Sequence, residues 1–263
     1  PGEVAKTVPG RTAQLAFYEE RAQLFAMLGR FIGRVRVDQA ARGVGKTSLL
    51  RAAQRRFEKY DIATVWVTAN EDEKLLPTIL AALREKLPAA KRKTAELAEL
   101  IDSVSVSLGA GPVKGTLTVK PGTVAAASAA KAFIRAFTTI AKSLLEGGEG
   151  RVVLIDEVQS ADKPSLRALA QGWQELASDP EAPPAGLFCV GLPGSQDHLT
   201  SAITFSERFD FEPLFGIGEL GATAALVSPA QDLGVIWDTD ALRSAVTISD
   251  GYAYKVQLIG EEC

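Results

Sequence analysis

Metal- and disulfide-forming residues are scarce in this chain. Its 263 residues include one histidine (His198) and two cysteines. Without a His/Cys cluster, no zinc site of the usual spacing is expected. Cys189 lies in the apolar run of residues 186–191 and reads as a small core residue, while Cys263 is the last residue. A disulfide framework is therefore not expected, and a reducing, cytoplasmic setting fits. Charge of one sign is lacking too: 29 Lys and Arg face 32 Asp and Glu, for a net charge of −3. That excludes an overall basic surface for nucleic acid and leaves only local patches. No apolar run approaches the roughly 18 residues of a membrane span, and no signal-peptide pattern opens the chain. A membrane partner is therefore not expected. The chain starts with Pro1, which suggests a piece trimmed from a longer protein. With 46% hydrophobic and 23% charged residues, the composition is that of a globular protein with one large domain and room for a smaller appendage.

The hydrophobic pattern alternates between strand and helix. Residues 1–15 are polar and punctuated by Pro and Gly, and read as an entry arm. Leu24, Leu28 and Ile32 then recur every four residues, as on one helix face. Val35 and Val37 suggest a short strand, followed by a glycine-rich turn and a helix carrying Leu49, Ala53 and Phe57. A β-branched strand is expected over 62–68, with helices over 76–87 and 91–100. Val104, Val106 and Leu108 alternate with serines, residues 109–115 hold turn glycines, and Leu117 and Val119 alternate again. This pattern predicts a β-hairpin inserted at about 103–120. A long helix (about 125–146), an apolar strand (151–155), a helix (163–177), a strand (187–190) and a short strand at Phe209 and Phe211 follow. From about residue 217 the pattern turns helical. The reading is an α/β fold with a parallel five-stranded core, residues 1–216, plus a small helical lid, residues 217–263.

Two segments carry chemistry. In Ala40-Ala41-Arg42-Gly43-Val44-Gly45-Lys46-Thr47-Ser48, a strand runs through a glycine-rich loop into a helix, the context of a phosphate-binding loop. The glycines let successive N–H groups turn toward phosphate oxygens, and the helix N-terminus adds positive potential. Arg42 to Ser48 are the predicted nucleotide-binding residues. Lys46 reaches the β- and γ-phosphates, and the Thr47 hydroxyl ligates Mg²⁺. Ala40 stands where the pattern has glycine, and its methyl group would be strained if φ there were positive. The second segment, Val152-Val153-Leu154-Ile155-Asp156-Glu157, is an apolar strand ending in two carboxylates. Asp156 is the second expected Mg²⁺ ligand, and Glu157 the general base for an attacking water. No N-K-x-D guanine signature is present, so the expected cofactors are ATP or ADP with Mg²⁺.

These motifs stand in an ordered series with Phe17-Tyr18 and Arg21, the 104–119 stretch, Leu154 to Gln159, Val190 to Pro193, Ser206 to Phe209, and Ser249 to Tyr254. The series resembles bacterial and archaeal AAA+ P-loop ATPases close to origin-recognition initiators and STAND signalling ATPases. The resemblance implies an ASCE sheet with the strand ending near Gly191 between the phosphate-loop and Asp156 strands, and a helical lid from about Gly218. It further implies that Arg208, just before the last strand, contacts the γ-phosphate from a neighbouring subunit, so a homo-oligomer is expected. Relatives end the strand near Gly191 in a polar sensor; this chain has V-G-L-P-G-S, with Ser195 as the nearby substitute, and Lys255 where a lid arginine is usual. A partner- or DNA-binding module follows the lid in relatives. Three activities stay open at this point: Mg-dependent ATP hydrolysis, a nucleotide-locked switch or scaffold, and the ATPase module of a DNA-binding initiator or transposition helper.

Overall fold

The structure is a computed structural model that describes residues 7–109, 123–145, 150–203 and 208–263. Five strands form one parallel sheet in the order β2-β3-β4-β1-β5. They are β1 (Val35–Gln39), β2 (Ala63–Thr68), β3 (Arg151–Asp156), β4 (Ala185–Gly191) and β5 (Phe209–Pro213). The three central strands β3, β4 and β1 are buried along their whole length. That is why β3 and β4 read as near-continuous apolar runs. The strand ending at Gly191 lies between the other two, as the resemblance implied.

Side chains alternate between the two faces of the sheet. Val35, Val37, Val153, Ile155, Leu187 and Cys189 join one core. It is completed by α3 (Leu75–Glu85), α5 (Ala95–Ser107), α6 (Thr123–Leu145) and α7 (Lys163–Ser178). Val152, Leu154, Phe188 and Val190 join the other, under α1 (Thr12–Leu28) and α2 (Lys46–Lys59). That second face also holds charge. The Tyr18 hydroxyl donates to Asp38 at 2.6 Å and Arg36 pairs with Asp38 at 2.9 Å, while the Arg36 guanidinium lies 4.2 Å from the Phe17 ring centre. Burial pushes the Asp38 carboxyl above its ordinary range, against the opposing pull of Arg36.

Local sequence explains several boundaries. The Asp162 side chain accepts from the Ser165 N–H and caps α7, with Pro164 in its first turn. Gly29 ends α1 in the left-handed conformation, its N–H bonded to the Phe25 carbonyl. The expected helix over 91–100 is instead a single turn, α4 (Ala89–Arg92), followed by α5. The entry arm is shorter than expected, because α1 already begins at Thr12.

The predicted hairpin is overturned where the structure describes it. Residues 103–107 are the last turns of α5, and 110–122 lie outside the described residues. Leu97, Ile101 and Val104 are buried at helical spacing. Ser103 and Ser105 return their hydroxyls to the carbonyls of Leu100 and Ile101. The alternation of valine with serine was real, but the 3.6-residue period of the buried face outweighs it.

A short helix, α8 (Ser195–Ala202), follows β4, and after β5 the chain forms α9 (Gly218–Asp232), α10 (Thr239–Ser249) and α11 (Ala253–Glu262), which share a small core of Ala222, Leu226, Ala245, Val246 and Val256.

Candidate nucleotide site

The phosphate loop leaves the sheet at the C-terminal end of β1. Ala40 N–H bonds the Gly191 carbonyl at 3.0 Å, and Leu214 N–H bonds the Gln39 carbonyl at 2.7 Å. The loop thus begins between β4 and β5, at the strand ends where open α/β sheets bind ligands. Gly43 (φ 79°) and Gly45 (φ 95°) take up the left-handed conformations that the turn into α2 requires. Ala40 is not among the residues with positive φ, so its methyl group is buried without strain.

Three successive carbonyls of the loop are held from outside. Tyr252 donates its hydroxyl to the Arg42 carbonyl, Tyr254 N–H bonds the Gly43 carbonyl at 2.9 Å, and the Arg11 guanidinium bonds the Val44 carbonyl at 2.8 Å. In a trans peptide the C=O and the following N–H point in opposite directions. Tying these carbonyls outward turns the N–H groups of Gly43, Val44 and Gly45 toward the inside of the loop, where an anion would sit.

The structure brings Lys46, Thr47, Asp156 and Glu157 together. The Thr47 hydroxyl donates to the Asp156 carboxylate at 2.8 Å across 109 residues of sequence. Lys46 Nζ lies 3.1 and 3.2 Å from the carbonyls of Ala40 and Ala41. Burial lowers the Lys46 pKa, opposed by the nearby Glu157 and Asp156, and burial raises that of Asp156, opposed by the Thr47 hydrogen bond. Glu157 has φ 53°, an uncommon conformation for a non-glycine residue. Its carboxylate accepts from Gln159 Nε2. Ser48 is half-buried and Arg42 exposed.

Arg208 is not part of this cluster. Phe209 pairs with Val35 at the start of β1, whereas the loop leaves after Gln39. At the rise of an extended strand the two ends of β1 are roughly 13 Å apart. Arg208 is exposed at the opposite end of the sheet, so it cannot act on its own chain's loop. Arg51 and Arg56 are committed elsewhere: Arg51 stacks 3.6 Å from the Trp66 ring centre, and Arg56 pairs with Glu19. His198 Nε2 donates a hydrogen bond to the Ala161 carbonyl at 2.8 Å.

Arg11, Tyr252 and Gln159 were not legible as site residues. Arg11 and Tyr252 reach the loop from 33 and 210 residues away. The only local signal is at Gln159, two residues past the carboxylate it holds.

This topology, with a phosphate loop facing an acidic strand end across an intervening strand, defines a P-loop nucleotide-binding fold. The chain belongs to the AAA ATPase domain family, whose model matches residues 8–183. Among curated proteins no sequence matches. The fold is similar to that of the ORC2 protein of Aeropyrum pernix in its ADPNP–ADP complexes, at 15% identity and a TM-score of 0.62, covering 96% of this chain and 63% of that one. It is also similar to Cdc6p from Pyrobaculum aerophilum, at 14% identity, a TM-score of 0.59, and coverage of 98% and 62%. A third is the Aeropyrum pernix ORC1 protein in complex with DNA, at 15% identity, a TM-score of 0.52, and coverage of 100% and 62%. The chain thus spans less than two thirds of the length of these proteins. Among the described residues, no helix is long and apolar enough to cross a membrane.

Proposed function

We propose that this chain binds ATP with Mg²⁺ and hydrolyses it to ADP and phosphate, using nucleotide state to set the position of α9–α11 as a lid or to control assembly. The observation that carries this reading is the Thr47–Asp156 contact, which joins the start of α2 to the end of β3 with Lys46 and Glu157 alongside.

The protein oxygens suit Mg²⁺. Among the described residues no three His, Cys, Asp or Glu side chains converge as a metal cage. A cation here would meet one hydroxyl and one carboxylate, leaving its other positions to phosphate and water, as Mg²⁺ prefers. Thr47 and Asp156 are the residues that would hold it, and the ion would neutralise charge on the phosphate oxygens.

The chain's own groups do the rest. The loop N–H groups and Lys46 bind the phosphates, with Lys46 exchanging its carbonyl partners for phosphate oxygens. Glu157 accepts a proton as a water oxygen bonds to the γ-phosphorus. The bond from that phosphorus to the β,γ-bridging oxygen breaks, and the electron pair stays on ADP. Arg208 would serve the site of a second copy, an assignment supported by its exposed position at the far end of the sheet.

The lid reading takes residues 217–263 as a unit distinct from 1–216, supported by the separate core of α9–α11. A DNA or protein partner would engage through a module beyond this chain, a reading supported by the greater length of the similar structures. Kinship with STAND signalling ATPases rests on the sequence resemblance.

A nucleotide-locked switch is the second reading, favoured by the absence of a polar side chain at residues 190–193, where β4 ends. Calorimetric titration with Mg-ATP tests the first claim. Wild type is expected to bind and Lys46→Ala to lose roughly 100-fold in affinity, the scale of a buried charge-assisted contact. Equal binding by both would sink the assignment. Turnover by wild type that disappears in Glu157→Gln separates the hydrolase from the switch.

A further inference from the structure

Glu157 is held in a left-handed backbone conformation, so its carboxylate is presented from a turn that leaves the strand direction. Its side-chain donor is Gln159 Nε2, in the short 3₁₀ turn of Val158–Ser160. The other end of the same amide is braced on β4. Gln159 Oε1 accepts the Leu192 N–H at 2.9 Å and lies 3.4 Å from Ser195 Oγ.

These partners determine which way the amide points. The Leu192 N–H can only donate, so it requires the carbonyl oxygen, and the NH₂ group is left for the carboxylate. A flipped amide would set donor against donor at one end and acceptor against acceptor at the other. Room for the glutamine comes from Gly191. A Cβ there would lie 2.8 Å from Gln159 Oε1 and would also collide with Ser195 Oγ. The strand ends without a polar side chain, and that lack of a side chain is what admits the amide of Gln159.

We infer that Gln159 is a positioning residue for Glu157. Braced on the end of β4, its amide holds the carboxylate that receives the proton of the attacking water. The inference rests on the hydrolysis reading above.

The test compares kcat, KM and Mg-ATP affinity for the full chain as wild type, Gln159→Ala and Gln159→Glu, with Glu157→Gln as the floor. Gln159→Ala lowers kcat by about tenfold or more, since the general base supplies roughly 100-fold or more, and leaves the calorimetric Kd within about twofold. Gln159→Glu keeps the length and the acceptor for the Leu192 N–H but replaces the donor by a second carboxylate. It therefore falls at least as far as Gln159→Ala. A glutamine that only braces β4 would leave Gln159→Glu near wild type, and that result overturns the inference. Unchanged kcat in Gln159→Ala, or lost nucleotide binding in either variant, overturns it as well. A wild type that binds Mg-ATP without turning it over removes the hydrolysis reading and this role together. An active wild type with equally active Gln159 variants removes the role of Gln159 alone.

Discussion

The α/β body and the three-helix unit that follows it are built to different standards. In the body, helices cover both faces of the sheet, and its large side chains such as Phe133, Phe137 and Phe188 are at most 1% exposed. The three helices share five small or medium core residues, while Leu220, Leu233 and Ile236 are 88%, 81% and 91% exposed. A core that small supplies little burial energy, because the apolar area removed from water sets the gain. The unit therefore depends on its seams with the body. Tyr254 N–H bonds the Gly43 carbonyl and Tyr252 donates its hydroxyl to the Arg42 carbonyl, while Arg11 ties the Val44 carbonyl to that of Phe215 at the junction just before the unit.

The widest separation of the two regions should come from truncating each core. Phe137→Ala empties a fully buried site between α6, α7 and the sheet, and is expected to cost about 3–5 kcal/mol in denaturant unfolding. Leu226→Ala in the three-helix core should cost about 2 kcal/mol or less, since neighbours at a thin core can close in. It should raise amide exchange in α9–α11 without changing β3 and β4. Equal loss of protection in both regions would mean that they unfold as one unit.

The seam can be broken without touching either core. Arg11→Ala removes a charged donor from two carbonyls, and is expected to cost about 1.5–3 kcal/mol. The loss should appear as faster exchange in α11 and weaker Mg-ATP binding. Gly43→Ala attacks the same seam sterically. A methyl group there would lie 2.9 Å from both Tyr252 Oη and Tyr254 Cβ, at φ 79°. The left-handed backbone alone costs about 1–2 kcal/mol. If either variant left α11 protected, the helices would be held by something other than the phosphate loop.

The same division marks what could be read from the sequence. The phosphate loop and the acidic strand end were legible because their chemistry is local: a glycine-framed turn before a helix, and carboxylates after an apolar run. The place of the strand ending at Gly191, between the phosphate-loop and Asp156 strands, followed from the resemblance. The 104–108 stretch was misread because a period of two and a period of 3.6 share Val104, and only packing against the helix beside it decides between them. Nothing near Arg36 and Asp38 announced a buried ion pair in a strand, since its third member, Tyr18, stands 20 residues away. Arg11 and Tyr252 were missed for the same reason. Side chains that work by reaching across the fold leave no periodic trace.

The smallest expected effect uses the two cysteines, because one lies in each region. Cys263 is exposed at the end of α11, whereas Cys189 is fully buried in β4, where burial pushes its thiol well above the ordinary range. Only the thiolate reacts, so a maleimide should modify Cys263 at once and leave Cys189 untouched until the sheet opens. In native buffer, intact-mass measurement should show one adduct, with a second added only in denaturant. Undocking the helices by Gly43→Ala should leave that count at one, since β4 packs within the body. A second adduct on Gly43→Ala under native conditions would show that opening the seam also opens the sheet, and the two regions would then stand or fall together.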